Sequence, residues 1–262
     1  MKLKISLIIL FFIVFNSALF SDNYNNKSIF VPGEYCEYEV SFLGIGLGKI
    51  TVETIKTEQL NGKTTYHAKV TMDTYSGIPF VDLHSVFKSW MDPSLGFSYQ
   101  FVANNKVSDG WDYNKINFDY TNNKIINRHW LNDSLVSNQE VSFDKKINDG
   151  CSLYFFARQY TNLKKTVYVP TFIDGVFYTR LNFLGKIESV KINAIPYPVR
   201  TIYFDGKADW KGVYGMSGKF EGWFSDDDAR IPIRAYMNVY VGKIKIELVK
   251  YKRDGWVPPK GN

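Results

Sequence analysis

The chain has 262 residues, of which 45% are hydrophobic and 17% aromatic, and its formal net charge is +6. This length is enough for one large β domain or two small ones. The lysines are scattered and alternate with apolar residues, which is typical of a solvated sheet face and argues against nucleic-acid binding. The high aromatic content favours strands.

The first 21 residues have the three-part pattern of a secretory signal peptide. Lys2 and Lys4 precede an apolar core, Ile5–Phe15, and small residues follow up to Ser21. We predict cleavage after Ser21. The alternative is an uncleaved membrane anchor, which the short core disfavours because a spanning helix needs about 20 residues. Cleavage leaves residues 22–262 as an exported chain without a transmembrane span, in the periplasm or associated with the outer envelope.

Most of this chain alternates apolar and polar residues with the period of two that strands with one buried face require. The first example has apolar residues at Cys36, Tyr38, Val40 and Phe42. Asn61-Gly62 indicates a hairpin, because both residues tolerate the positive φ of a type I′ turn. Asn122-Asn123 indicates another turn. Further strands are predicted at 50–52, 66–72, 86–91, 97–102, 116–120, 125–130, 139–143, 167–169, 176–183, 186–192, 199–204, 219–224, 233–240 and 243–248.

Turn spacings of 8–12 residues are typical of an all-β protein. We predict a large curved antiparallel sheet, a half-barrel or flattened barrel, in a single domain over residues 22–262. One short helix near 150–161 interrupts it, with Asp149 as candidate N-cap and a helical face formed by Leu153, Phe156, Ala157 and Tyr160. We expect this helix to plug an edge or to cover the concave side of the sheet. The tail from Arg253 is expected to be loosely held.

The chain has two cysteines, Cys36 and Cys151. An oxidising compartment permits a disulfide between them. The alternative is a pair of buried free thiols, because Cys36 falls on an apolar strand face and Cys151 at the predicted helix start. The sequence leaves both alternatives open.

No pattern in the sequence specifies a catalytic, metal or cofactor site. His67, His84 and His129 are far apart, and none has a second metal ligand at helical or hairpin spacing. The densest polar cluster is Asp226-Asp227-Asp228, followed by Arg230. Such a cluster is more often a polar turn that caps its own backbone than a pair of catalytic carboxylates. We expect Arg230 to pair with one of the aspartates.

Four stretches of the chain resemble the exported family catalogued as domain of unknown function 3108. They are Val31–Tyr35 with Tyr38, Val40 and 44–48; Ser89–Pro93; Asp149, Ser152, Tyr154 and Arg158; and Trp223, Ser225, Asp226, Asp228, Arg230, Pro232, Gly242 and Leu248. Gly150-Cys151 departs from the family's usual helix start. The resemblance implies an exported, mostly antiparallel β protein akin to half-barrels that carry lipoproteins or lipids, and it transfers no catalytic residue.

The polar and aromatic residues of the last two stretches are candidates for binding: Tyr154, Arg158, Trp223, Asp226, Asp228 and Arg230. Tyr154 and Arg158 are one helical turn apart and can project from the same side. We predict an ion pair between Arg158 and an aspartate of the Asp226–Asp228 turn, with Asp226 as the residue to test, that ties the helix to the closing hairpin.

Three functions are considered. The first is a binding or scaffolding module of the cell envelope, with a hydrophobic small molecule such as a lipid as ligand. The second is assembly with an envelope protein by strand addition. The third, and least favoured, is hydrolysis of envelope glycans by Asp226 or Asp228.

Overall fold

The structure, a computed structural model, describes residues 28–79, 82–108, 110–210, 218–239 and 242–262, and the predicted signal peptide lies outside them. Within these ranges the chain forms 14 strands and one α-helix. The strands are β1 Tyr35–Phe42, β2 Ile45–Leu60, β3 Lys63–Thr74, β4 His84–Met91, β5 Ser98–Val107, β6 Gly110–Asp119, β7 Lys124–Leu131, β8 Ser134–Ser142, β9 Thr166–Phe172, β10 Val176–Val190, β11 Val199–Ala208, β12 Gly218–Ser225, β13 Pro232–Asn238 and β14 Lys243–Lys252. Helix α1, Ser152–Tyr160, lies between β8 and β9 and continues into a 3₁₀ turn, Thr161–Leu163.

All 14 strands belong to one antiparallel sheet with the order β8-β7-β6-β5-β4-β3-β2-β1-β14-β13-β12-β11-β10-β9. Strands that follow each other in sequence pair with each other, except β8 and β9, and β1 also pairs with β14, which joins the two halves of the chain. The sheet is not closed, and β8 and β9 are its edges. The prediction of an all-β fold built on one large open sheet is confirmed.

The antiparallel order gives the sheet two distinct ends. The hairpins β1–β2, β3–β4, β5–β6 and β7–β8 lie at the end that we call upper, as do the connections β9–β10 and β13–β14. The lower end carries the connections β2–β3, β4–β5, β6–β7, β10–β11 and β12–β13. The turns predicted at the lower end are present, since Asn61, Gly62 and Asn123 all have positive φ.

Two strands are longer than the sequence pattern predicts. The segments 176–183 and 186–192 form one strand, β10, because an irregularity between Phe183 and Lys186 shifts the register without ending the pairing with β11. Strand β2 also runs through an irregularity, between Thr54 and Lys56. A bulge changes which residues face inward, so a strict period of two breaks while the strand continues.

Helix α1 covers the lower part of the face that we call inner, the one carrying buried Cys36, Tyr38, Val52 and Val70. Phe155 joins the core of this face, and Phe156, Ala157 and Tyr160 pack against β9–β12. The helix therefore contacts both halves of the sheet. Its aromatic side chains therefore pack against the lower inner face.

The C-terminal tail is held in place, so the prediction of a loosely held tail was wrong. Lys260 forms a bridge with Val199 at the start of β11. The N–H of Arg200 donates to the carbonyl of Pro259 at 2.8 Å. The indole N–H of Trp256 donates to Asp227 at 2.7 Å. These contacts fasten the last ten residues across the lower end of the sheet.

Candidate functional site

Tyr154 and Arg158 lie on the same side of α1, as predicted, between the helix and β1, where Arg158 is buried and Tyr154 is partly buried. The Arg158 guanidinium lies 5.4 Å from the Tyr154 ring centroid. The Tyr154 hydroxyl is 3.0 Å from that of Tyr38 on β1. The Arg158 side chain is fully buried and reaches Glu34, just before β1, through two hydrogen bonds of 2.7 and 3.1 Å. The residues predicted on the helix thus form a buried polar group that faces β1.

The predicted ion pair between Arg158 and Asp226 was wrong. Arg158 pairs with Glu34, and Asp226 accepts a 2.6 Å hydrogen bond from Arg200 on β11. The helix is still tied to the β12–β13 hairpin, because Arg158 also donates to the backbone carbonyl of Ala229 at 2.9 Å. The backbone carbonyl of Ala229 thus accepts from Arg158 where the sequence had predicted the carboxylate of an aspartate.

Glu34 is the central acceptor of this group, which we call the Glu34 cluster: Glu34, Arg158 and Arg253. Its carboxylate also receives the guanidinium of Arg253 from the tail. Burial alone would lower the pKa of the Arg158 guanidinium, but the adjacent Glu34 carboxylate outweighs burial and raises that pKa. Arg158 therefore stays ionised, as a buried charge that is paired and hydrogen-bonded can.

Sequence reasoning missed Glu34 although a signal was present. Side chains of a strand alternate between its two faces, so Glu34 lies on the same buried face as Cys36 and Tyr38. A carboxylate on a buried face needs a cation. Arg158 lies on the apolar side of the only α-helix in the described part of the chain, and it supplies one.

The Asp226–Arg230 segment is a polar turn, as the sequence favoured. Its organising residue is Asp227, which was not singled out. Asp227 Oδ1 accepts the Ser225 hydroxyl and the backbone N–H groups of Ala229 and Arg230, at 2.8–3.1 Å. Asp228 is exposed to solvent. With Asp226 paired to Arg200, this arrangement does not favour a pair of catalytic carboxylates.

Arg230 connects this turn to the end of the helix. Its guanidinium donates to the backbone carbonyls of Arg158 and Gln159, at 3.1 and 2.9 Å. These carbonyls are among the last four of α1, which have no partner inside the helix, and a cation there also interacts favourably with the helix dipole. Arg230, Arg158 and Tyr154 thus share one structural region at the lower end.

Trp223 lies apart from that region, on the opposite, outer face. Its ring contacts Tyr203 and Tyr236 with centroid distances of 5.5 and 6.0 Å, and its indole N–H donates to Glu188 at 2.7 Å. A shallow cleft of about 280 Å³ lies beside it, with charged residues of both signs. Two of these charges, Lys243 and Glu221, pair with each other at 3.2 Å. The six predicted residues therefore do not form a single site.

Both cysteines are free thiols buried in the core beneath the helix. Burial raises the pKa of Cys36 to about 12 and raises that of Cys151 as well. This is the arrangement of the second alternative drawn from the sequence. Within the described ranges, no group of three or more His, Cys, Asp or Glu side chains could hold a metal ion.

A feature of the upper end was not predicted. Of the 15 large hydrophobic side chains that are exposed in the described part of the chain, nine lie in or beside the upper hairpins. We call these nine residues the upper rim: Leu43, Ile45, Tyr75, Val107, Trp111, Leu131, Leu135, Val136 and Val176. Leu43 and Ile45, at the tip of the β1–β2 hairpin, are 86% and 62% exposed. The fold therefore places more than half of the exposed large hydrophobic side chains of the described residues at one end.

The family model described as Protein of unknown function (DUF3108) matches residues 37–249. The chain belongs to this family. Its fold is shared with the beta-barrel-like protein of domain of unknown function DUF1849 from Brucella abortus, at 11% identity and a TM-score of 0.57 over 86% of this chain and 98% of that one. A putative exported protein with YmcC-like fold from Bacteroides fragilis matches with 10% identity and the same coverages, but its TM-score of 0.38 is too low to show a shared fold. No curated protein matches.

In the described ranges, α1 is far too short to cross a bilayer, and none of the helices there is long and apolar enough to do so.

Proposed function

We propose that this DUF3108 protein is an exported, non-catalytic binding module of the cell envelope, and that it docks on a lipid surface through the upper rim. The signal-peptide pattern supports export. The observation that carries the proposal is the concentration of exposed apolar side chains at the upper end. Contiguous exposed apolar surface marks contact with a membrane or another hydrophobic partner.

The composition of the rim suits the boundary between lipid and water. Trp111 and Tyr75 have amphipathic rings of the kind enriched at that boundary. Leu43 and Ile45 extend from a hairpin tip, where insertion into lipid requires no change in the sheet. Burial of one such side chain contributes about 1.5–3 kcal/mol when complete, so a few partly inserted residues give reversible binding.

Vesicle sedimentation tests this proposal. Residues 22–262 would be incubated with vesicles of phosphatidylethanolamine and phosphatidylglycerol, and the pelleted fraction would be measured against lipid concentration. The double variant L43N/I45N should lower the partition coefficient about tenfold, which corresponds to about 1.4 kcal/mol. Asparagine suits position 43, because Leu43 has a φ of 50° and asparagine tolerates left-handed backbone well.

A matched control is available elsewhere on the surface. Leu184 and Val257 are 60% and 74% exposed and lie outside the rim, so L184N/V257N removes similar exposed apolar area. It should bind vesicles as the unmodified protein does. Equal loss in both double variants, or no binding by the unmodified protein, would refute docking through the rim. Fractionation of cells producing the full chain tests export separately, and recovery in the cytosol would contradict it.

A second candidate function, assembly by strand addition, is favoured by strand β8. This edge strand pairs only with β7, and seven of its nine residues are exposed. It contains no proline and a single charged residue, Glu140, so it lacks the usual protection of edge strands. The other edge is better protected, because β9 contains Pro170 and Asn148 bridges to Thr171 beside it.

Photo-crosslinking in intact envelopes tests this second candidate. A crosslinker at Asn138, in the middle of β8, should capture a protein partner that the same crosslinker at Tyr168, on β9, does not. The variant S142P, which removes an N–H that faces away from β7, should weaken capture at Asn138. Equal capture at both positions would contradict strand addition at β8.

A further inference from the structure

The inner face of β5–β8 changes its chemistry along the strands. Near the lower end Ile116, Phe118 and Ile125 are buried in the core. Towards the upper end, beyond the reach of α1, alternate positions of the same strands place polar side chains on this face. We call them the inner polar patch: Asn105, Asp112, Asn114, Asn127, His129 and Gln139.

Part of the patch is held in a fixed arrangement. The Asn114 amide donates to Asp112 Oδ1 at 2.8 Å, and His129 Nε2 lies 3.2 Å from Asp112 Oδ2. The side chains of Asp112 and His129 are each 30% exposed, so solvent and a ligand can reach them. Side chains positioned in this way lose little freedom when they bind a ligand.

Asn127 gives an independent sign that the patch is incomplete. Its Oδ1 atom is buried and has no hydrogen-bond partner among the described residues. A buried acceptor without a donor costs stability, and an apolar side chain at this position would avoid that cost. The position is therefore unfavourable for the fold alone, and because Asn127 as a whole is partly exposed, a rotation of its amide can bring Oδ1 to a hydroxyl or amide donor of a ligand.

We propose that the inner polar patch binds a neutral saccharide. Each amide presents both donors and an acceptor, which matches the hydroxyl groups of a sugar ring. The patch contains no Lys or Arg, which argues against a phosphate or carboxylate ligand. Its one carboxylate, Asp112, is already engaged by Asn114 and His129, which argues against a strongly cationic ligand.

The neighbouring surface provides an apolar platform. Phe101, which is partly buried, stacks on the buried core residue Phe87 with a centroid distance of 6.0 Å and an interplanar angle of 11°, so Phe101 is the ring of this pair that a ligand can reach. Phe101 stands opposite Ile116, two positions from Asn114 along the strand. Aromatic surface beside a few fixed polar groups is the usual composition of a small-molecule site. Since the patch contains only one carboxylate, it has no acid–base pair for glycoside hydrolysis, and the assigned role is binding.

Calorimetric titration of residues 22–262 with two probes, the hexamer of N-acetylglucosamine and maltohexaose, tests this assignment. The variants N114L and N127L should each weaken saccharide binding at least tenfold. The controls N104L, on the outer face of β5, and N138L, on the outer face of β8, should leave the affinity within twofold. All four variants exchange asparagine for leucine, so only the face differs.

Unfolding measurements separate binding from a structural role. Because Asn127 Oδ1 is unsatisfied, N127L should unfold at the same or higher denaturant concentration while losing saccharide binding. Destabilisation of N127L together with unchanged binding, or absence of binding by the unmodified protein to both saccharides at millimolar concentration, would overturn the proposal. Vesicle binding should be unaffected by N114L and N127L, so this result is independent of the proposed lipid docking.

Discussion

Glu34 and Arg158 show how a single buried ion pair joins distant parts of this chain. They are 124 residues apart in sequence, and Arg158 also holds the carbonyl of Ala229. Removing one partner of a buried pair leaves an uncompensated charge. We therefore expect E34Q to lower the free energy of unfolding by about 3–5 kcal/mol, measured by urea denaturation.

A double-mutant cycle distinguishes this pair from the one expected from sequence. E34Q and R158M should be non-additive by about 0.5–3 kcal/mol, because both act on the same contact. R158M and D226N should add within about 0.5 kcal/mol, because Asp226 pairs with Arg200 instead. Additivity of the first pair would contradict the described geometry.

The two buried thiols lead to a second prediction at this scale. Because burial raises the pKa values of Cys36 and Cys151, both remain protonated and poor nucleophiles in the native protein. We expect a chromogenic disulfide reagent at pH 8 to react with neither thiol in the folded protein. In guanidinium chloride, without reductant, it should titrate two thiols per chain. A count of zero in denaturant would indicate a disulfide.

Most elements were predictable because a strand with one buried face has apolar and polar residues that alternate with a period of two. The short helix was equally visible, since Phe156 and Tyr160 recur at helical spacing. Element lengths were less predictable where bulges occur, as in β10, because a bulge reverses which residues face inward. Of the candidate site, Tyr154 and Arg158 were found on the correct element, but their partner Glu34 was not. The periodicity of apolar residues shows which face of a helix or strand is buried, but not which residues pack against that face.

The start of helix α1 provides a prediction at the scale of the element. The formal N-cap is Cys151, yet Asp149 Oδ1 accepts the N–H groups of Cys151 and Ser152 at 2.7 and 2.8 Å. Asp149, the predicted capping residue, therefore does cap the helix, from a position two residues before Cys151. D149A should cost about 0.5–2 kcal/mol of unfolding free energy, whereas D149N, which keeps an acceptor oxygen, should cost less.

The pH dependence of the Asp149 variants gives a further check. Burial raises the pKa of Asp149 above its ordinary value, although hydrogen bonds from Ser89, Ser98 and the helix start oppose the rise. Because the pKa of Asp149 is higher in the folded than in the unfolded chain, Asp149 stabilises the fold fully at pH values below its unfolded-state pKa. This stabilisation is lost as the pH rises through its folded-state pKa. D149N should therefore be less destabilised, relative to the unmodified protein, at pH 7 than at pH 4. The opposite trend would contradict a raised pKa.

At the scale of the molecule, the sheet depends on a contact between its first and last strands. The β1–β14 pairing joins the two halves within the sheet, and they are also connected by the β8–β9 segment with its helix and by the packing of Phe172 on β9 against Phe118 on β6. Neither strand's sequence identifies its partner, because alternation specifies a buried face but not a neighbour. The tail strengthens this junction, since Arg253 reaches Glu34 beside β1 and Trp256 reaches Asp227.

Truncation of the chain after Lys252 tests how far the whole fold relies on this junction. It removes the Arg253 guanidinium from a buried carboxylate, the indole donor from Asp227 and the bridge between Lys260 and Val199. A hydrogen bond to a charged group contributes about 1.5–3 kcal/mol, and Glu34 keeps its pair with Arg158, so the truncated protein should unfold at lower urea concentration. The control V257S changes a residue that is 74% exposed and should alter stability by less than about 0.5 kcal/mol. Because α1 and the β1–β14 pairing both connect the two halves, we expect one cooperative transition in each case, and two separate transitions would show that the halves fold independently.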